Sequence, residues 1–422
     1  MSLVHLGSLS ALLRSLQPEY GTVVVRAAGT TTVATRPTEI LIADGADAFA
    51  ALDEIERSGG WWAGYLGYDL GRAVEPVRAR ATDDRSLPDL VFARFDTRLS
   101  VAADGRAVLY GDTTGVAADA LRHAAWRSRS ARGATARAPR ARTWSSSADC
   151  AEYAAAQRVI HEHLNLGNCY QVNLTRRLTH RRPIDPVELF GALDAFNPAP
   201  HACLLRFGTR GPALAVVGAS PELFLAIDGD RLVTRPIKGT HRDAATLVSS
   251  AKDAAEHVMI VDLARNDLGR VCVPGTIDVP ELMVVEAHPG LHHFVSTVTG
   301  QRRDDATLGT IIRALFPAAS ITGAPKPAVM QIIEDLEPVR RGVYCGATGW
   351  IDAADRRAEL AVAIRTFTVT ARQTDLGVGG GIVADSVADR EWAETELKAH
   401  RLLAAAGAAA RHDAQPDTET CP

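Results

Sequence analysis

Between 149 and 165 apolar residues recur at helical spacing, with Tyr153, Ala156, Val159, Ile160 and Leu164 on one face. The pattern then shortens to apolar runs bounded by turn residues, which predict strands over 171–178, 202–207, 213–218, 223–227 and 231–234. A second helix is predicted over 253–267, followed by strands over 276–279 and 294–299. Helices over 306–315 and 327–336 precede strands over 346–352, 359–370 and 376–378, and a last helix spans 388–405. Upstream, 22–26 and 107–110 read as strands and 47–57 as a short amphipathic helix. The run GGWWAGYLGYDLG (59–71) mixes glycine with aromatics, which suits strands whose backbones approach closely.

Helices separated by groups of consecutive strands predict an α+β fold, two packed antiparallel β-sheets flanked by helices. The irregular order argues against a TIM barrel or a Rossmann domain, and no repeat of fixed period is present. Four segments are expected: an N-terminal region (1–115), an Arg-rich linker (116–147), a main region (148–405) and a disordered tail (406–422). The arginines of the linker are not interleaved with aromatics, so a solvated connector is expected rather than a nucleic-acid contact.

A formal net charge of −4 over 422 residues gives no reason to expect nucleic acid or an anionic membrane as partner. Six scattered cysteines form no CxxC pair and suit a reducing compartment. The N-terminus lacks the basic start and apolar run of a signal peptide, and no stretch reaches transmembrane length. A cytoplasmic chain without membrane contact is expected.

Chemistry gathers in the second half. In DREWAETELKAH, Glu391 and Glu394 share a helix face, and Lys398 lies four residues beyond Glu394. Glu256 opens the apolar part of the 253–267 helix. Two such helices facing one cavity can offer carboxylates to a hard cation such as magnesium. The same spacing equally describes a solvated, salt-bridged face. The glycine-containing segments 236–240, 316–326 and 377–383 are not nucleotide loops, because they lack both GxxxxGK[ST] and GxGxxG. They read either as tight turns or as turns aiming N–H groups at a carboxylate.

The chain carries YQVNL (170–174), NPAP (197–200), SPELF (220–224), PIKGT (236–240), AEHVMIVDLARNDLGR (255–270) and HHFVS (292–296). It continues with SITGAPK (320–326), RGVYCGATGW (341–350), AIRT (363–366), GGGIVADS (379–386) and ExxETELKA (391–399). This ordered set resembles the chorismate-utilising enzymes over about 150–402, and WWAGYLGYDL extends the similarity into the N-terminal region. The resemblance implies an anthranilate synthase component I-like fold and a cavity binding chorismate and Mg2+. It also implies roles for individual residues. Glu256 and Glu394 would hold the metal, with Glu391 nearby. Arg365, Tyr344 and the N–H groups of Gly379 and Gly381 would bind the enolpyruvyl carboxylate. Gly239, Thr240 and Thr322 would line the ring, Lys398 would add positive charge, and His293 would sit near the ring.

Within that family, the position of Gln171 is a lysine where water is the nucleophile, and an amide cannot act as that base. A lysine at the position of Lys238 resembles the aminodeoxychorismate synthase large subunits. Two roles remain open for it: nucleophile toward the ring, or counter-charge to a substrate carboxylate. Glu222 is the implied general acid. The activity implied is conversion of chorismate and ammonia to 4-amino-4-deoxychorismate, with anthranilate formation as the alternative. The sequence holds no nucleophile-elbow cysteine, so ammonia is expected from a separate glutamine amidotransferase subunit in a heterodimer. The Leu-Leu-Glu-Ser stretch associated with tryptophan feedback is absent.

Overall fold

The computed structural model describes residues 3–130, 142–241, 243–288 and 291–407. Two antiparallel sheets lie face to face with helices outside, as the strand and helix order predicts. Among the described residues, one sheet has 12 strands and the other has 10. Alternation along each strand builds the layers. In the strand Trp61–Leu66, Trp61, Ala63 and Tyr65 join a core between the sheets, with Val23, Val25, Leu205 and Val216 from the opposite sheet. Trp62 and Leu66 point the other way. There they pack with Phe49, Leu52 and Ile55 of Asp47–Ser58, with Val261 and Leu268 of Ala251–Gly269, and with Ile311 and Ile312 of Leu308–Leu315. The 12-stranded sheet does the same with Val24, Leu204 and Val217 beneath its own helices.

The close approach expected in the run 59–71 occurs at Gly64, which pairs with Gly349 of a neighbouring strand. A methyl group there would lie 2.0 Å from the Val91 carbonyl.

Strands from the first hundred residues enter both sheets. Thr22–Ala27 pairs with His201–Arg206, and Trp61–Leu66 pairs with Ala347–Asp352. The segments expected as an N-terminal region and a main region therefore share both sheets. The segment expected as a linker begins instead with a helix, Val116–Ser130. Its Leu121, Ala124 and Ala125 are buried against Leu12 and Leu13, so an apolar stripe underlies its arginines. Residues 131–141, and the tail from 408 onward, lie outside the described residues. Among the described residues, no helix is long and apolar enough to cross a membrane, and Cys169, Cys203, Cys272 and Cys345 are free and buried.

Strands at Thr30–Thr35, Glu39–Ala43, Leu90–Phe95 and Thr97–Val101 are not among those predicted, and other elements differ from the pattern. The glycine run near 379 is the strand Thr374–Ile382 rather than a turn. The expected strand over 359–370 is two strands, Arg357–Val362 and Thr366–Thr370. The break falls at Arg365, whose φ of +52° is incompatible with an extended strand. A helix at Pro186–Phe196 went unseen because apolar residues outside its buried face, among them the exposed Phe196, blur the stripe of Val187, Leu189, Phe190 and Leu193.

One ion pair ties the sheets to the loop beside them. Arg341 and Glu337 are almost wholly buried and 2.7 Å apart. Arg341 also donates to the carbonyls of Ile321 and Asn173, and Glu337 accepts from the N–H and hydroxyl of Thr175. Removing one member leaves the other charge buried and unpaired. Arg341→Met is therefore expected to lower stability by roughly 3–5 kcal/mol, read from urea unfolding. An unchanged midpoint would contradict this account of the pair.

Candidate active site

Two of the places where the chain crosses from one sheet to the other are adjacent. Pro221 and Glu222 connect Leu214–Ser220 to Leu223–Asp228, and 363–365 connects Arg357–Val362 to Thr366–Thr370. The crossings are bonded to each other. Val362 N–H donates to the Glu222 carbonyl at 3.0 Å, Ala219 N–H donates to the Arg365 carbonyl at 3.1 Å, and the Ser220 hydroxyl donates to the Val362 carbonyl at 2.6 Å. They thereby hold the side chains of Glu222 and Arg365 within electrostatic range of each other.

Glu222 is 4% exposed, and burial pushes its carboxyl up to about 7. Opposing that, Ser320, Lys238, the N–H of Ile237 and Arg365 all favour its ionised form. Burial holds the Arg365 guanidinium below its usual range, and Arg401 pushes in the same direction. No described residue forms an ion pair with Arg365, which leaves its planar fork available to a carboxylate.

Lys238 stands on Ile237–His241, a strand rather than the turn that PIKGT suggests. Gly239 sits at φ +70°, where its missing Cβ leaves room for Leu247 and Asp253. The Nδ1–H of His293 donates to the Gly239 carbonyl at 3.0 Å from the paired strand Leu291–Gln301. The ammonium of Lys238 is enclosed and donates to the Ser320 carbonyl at 3.2 Å. Burial lowers its pKa, with Lys398 adding to that, while Glu256, Glu222 and Glu394 oppose it. The side chain of Thr240 lies outside what the structure describes.

The carboxylates come from two helices. On Ala251–Gly269, Glu256 is raised by burial, and Asp253 and Glu391 add to that. On Ala388–Ala405, Glu391 is raised by burial and accepts from the Ser386 hydroxyl at 2.6 Å. Glu394 is held low, first by Lys398, whose ammonium is 2.7 Å away. Both Glu391 and Glu394 approach Gly380, where a Cβ would lie 3.4 Å and 3.6 Å from their carboxylate oxygens. Among the described residues, no three such side chains are gathered closely enough to hold an ion by themselves. One or two carboxylates completed by an anionic substrate is the usual arrangement for magnesium, and this donor set fits it.

The strand Thr374–Ile382 has one edge against Gln171–His180 and an open edge beyond Leu376, because its other neighbour pairs only with 374–376. Thr175 faces Gly379, yet its N–H donates to Glu337; Asn173 faces Gly381, yet its N–H donates to Thr322. Gly379 and Gly381 are thus at the non-bonded positions of the ladder, and their N–H groups point to the open edge. Lys398 donates to the Gly379 carbonyl along that edge at 2.9 Å. The ring of Tyr344 covers Gly377 on the same strand, where a Cβ would lie 2.1 Å from it. Thr322 is fully buried, and its hydroxyl donates to the Ala318 carbonyl.

The structure therefore places Lys238 within electrostatic range of Glu222, Glu256, Glu394 and Lys398, and Glu222 within range of Arg365, with Gly239 and His293 adjoining Lys238. Glu391 is turned toward Ser386, and the Thr322 hydroxyl is satisfied by its own loop. Sequence reasoning did not single out Ser320. It stands two residues before Thr322 in SITGAPK, but its link to Lys238 depends on the path of the loop.

The chorismate binding enzyme model matches residues 11–404. The chain is 39% identical over 355 residues to aminodeoxychorismate synthase component 1 of Salmonella typhimurium, covering 81% of this chain and 75% of that one. It is 37% identical over 394 residues to the Escherichia coli protein of the same name, covering 90% and 85%. An anthranilate synthase component 1 of Haloarcula marismortui is 38% identical over 371 residues, covering 81% and 74%. Anthranilate synthase component I from Streptococcus pneumoniae superposes with a TM-score of 0.74 at 23% identity, covering 95% of this chain and 91% of that one. MenF, the menaquinone-specific isochorismate synthase from Escherichia coli, gives 0.73 at 18% identity, covering 94% and 91%. These two share the fold. The chain belongs to the chorismate binding enzyme family.

Proposed function

We propose that this protein aminates chorismate at C4, giving 4-amino-4-deoxychorismate, as the large subunit of an aminodeoxychorismate synthase. The observation that carries the reading is an enclosed lysine amine of lowered pKa beside a buried carboxyl raised to about 7. Such a pair supplies both a nucleophile and an acid near neutral pH.

In this reading the neutral amine of Lys238 adds to ring carbon C2. The two ring double bonds shift, and the C4 hydroxyl leaves as water with the proton of Glu222. Ammonia then adds at C4, the double bonds shift back, and the lysine departs from C2. The Glu222 carboxylate takes the proton shed by the incoming nitrogen, which returns the site to its starting state. Arg365 and the N–H groups of Gly379 and Gly381 receive the enolpyruvyl carboxylate, and Tyr344 closes that end. Gly239, Thr240, Thr322 and His293 flank the ring. Glu256 and Glu394, with Glu391 nearby, would hold Mg2+, which supplies positive charge to the ring carboxylate. Lys398 adds to that charge. The source of ammonia is a separate glutamine amidotransferase subunit, in keeping with the "component 1" in the relatives' names.

Formation of anthranilate is the second reading, and the similarity to the Haloarcula protein supports it. Lys238 favours amination, because anthranilate formation needs no enclosed amine at that point of the ring.

Incubated with chorismate, ammonium and Mg2+, the chain is expected to give 4-amino-4-deoxychorismate by mass-resolved chromatography. Anthranilate with pyruvate would overturn the choice. Lys238→Ala should lower turnover by at least about 100-fold, the scale of losing an activated nucleophile or a positioned acid.

Glu222 acts first as an acid, so its protonated form is the active one in the free enzyme. At constant free ammonia, kcat/KM for chorismate should fall as pH rises through about 7. The limb should vanish in Glu222→Gln. A limb that persists in that variant would remove Glu222 from the role.

Glu256→Gln is expected to weaken Mg2+ binding in the presence of chorismate by at least about tenfold, as loss of a carboxylate ligand should. Calorimetric titration measures this independently of turnover, and unchanged affinity would dismiss Glu256 as a ligand.

A further inference from the structure

Ser320 is bonded to one reacting group through its carbonyl, lines a void with the other, and has no role in the reading above. It sits in the short helical turn Ala319–Ile321 and is 8% exposed. Its main-chain carbonyl accepts from the Lys238 ammonium at 3.2 Å. Its hydroxyl is buried and has no regular hydrogen-bond partner among the described residues. Ser320 and Glu222 line the same small void, of about 30 Å³, together with Thr234, Ala264 and Asp267. That void has room for the hydroxyl to turn, or for a single water. A buried hydroxyl left without a partner costs free energy, so one that shares a void with a buried carboxyl calls for an explanation.

The loop that carries Ser320 has little slack. Lys326 donates to the Leu315 carbonyl at 3.1 Å and to Asp267 at 3.0 Å. Arg341 donates to the Ile321 carbonyl at 2.9 Å, and Asn173 N–H to the Thr322 carbonyl at 2.8 Å. The position of Ser320 is therefore set by groups outside the reacting pair.

We propose that Ser320 is a positioning residue that fixes the Lys238 amine and the Glu222 carboxyl relative to each other, its carbonyl receiving the first and its hydroxyl donating to the second. The inference rests on the proposed roles of those two groups. The hydroxyl stabilises the Glu222 carboxylate formed when the proton leaves, and releases it when the proton returns. The carbonyl keeps the amine beside the same carboxyl, so one residue sets the span across which nucleophile and acid act. The charged groups facing Glu222 are Lys238 from its strand and Arg365 from the neighbouring crossing, and Asp267 lines the shared void. The hydroxyl favours the ionised carboxyl against the effect of burial.

The test compares the chain with Ser320→Ala and Ser320→Thr, using chorismate, Mg2+ and a constant concentration of free ammonia. Removing a donor to a carboxylate raises its pKa. In Ser320→Ala the basic limb of kcat/KM should move up by on the order of one pH unit, the size of one hydrogen bond to a charged group. At pH 6, below the limb, kcat should fall by about tenfold or more while KM for chorismate stays within roughly twofold. Ser320→Thr should restore both the limb and the turnover. A limb unmoved in Ser320→Ala, with turnover lost or kept, overturns the proposal, because a merely structural role lowers activity without shifting a titration. Should Ser320→Ala not fold, Ser320→Cys, of similar shape and weak as a donor, takes its place with the same expected shift. Failure of the unaltered chain to give 4-amino-4-deoxychorismate would instead refute the proposed function.

Discussion

Charge is buried at the seam between two sheets, and the rest of the site follows from how that burial is tolerated. Glu222, Lys238 and Arg365 all lose water there, and each is displaced toward its neutral form. An isolated charge in such a place would simply neutralise. Opposite charges across the seam oppose the displacement of both, and the carboxyl of Glu222 is left at about 7. The backbone supports this by bonding the two crossings to each other, which sets Glu222 and Arg365 before any ligand arrives. Preorganised polar groups of this kind need not reorient during reaction.

The helices at the mouth follow a different logic. Glu391 and Glu394 share one helix, as their spacing requires, yet they experience opposite shifts. Glu394 has a lysine one turn away, while Glu391 is buried beside a hydroxyl. Lys398 is the positive charge that holds Glu394 low. It also reaches the Gly379 carbonyl, so it links the helix to the open edge of the strand. An ion or a dianion entering the cleft would compete for that lysine's contacts.

Much of this was legible in the sequence, for reasons that differ by residue. Lys238, Glu256, Arg365 and Glu394 stand in dense local motifs, and the structure gathers them. Short unbroken apolar runs disclosed most strands, because each sheet buries both faces against another layer. Glycine misled at 377–383. A strand whose edge must stay free and whose faces must admit Tyr344 and Gln171 carries no side chains to show its period. Charge misled at 116–130, where exposed arginines hid the stripe of Leu121, Ala124 and Ala125. Ser320 was missed because its use depends on tertiary anchors, Arg341 and Lys326, that no local pattern announces.

The early strands woven into both sheets bear on how the molecule can be assembled. Thr22–Ala27 pairs on one edge with the nearby Thr30–Thr35 but finds its second partner nearly two hundred positions later, and the second partner of Trp61–Leu66 comes still later. Neither hydrophobic layer can close until most of the polypeptide has been made, which gives the fold a high contact order and slow, late consolidation. During synthesis the first hundred residues can pair only among themselves, as Thr22–Ala27 does with Thr30–Thr35 and Trp61–Leu66 with Leu90–Phe95, and one edge of each pair must wait for its later strand. Severing the chain in the middle would leave two halves that each lack partners for their strands, so the pieces should regain shape only in each other's company.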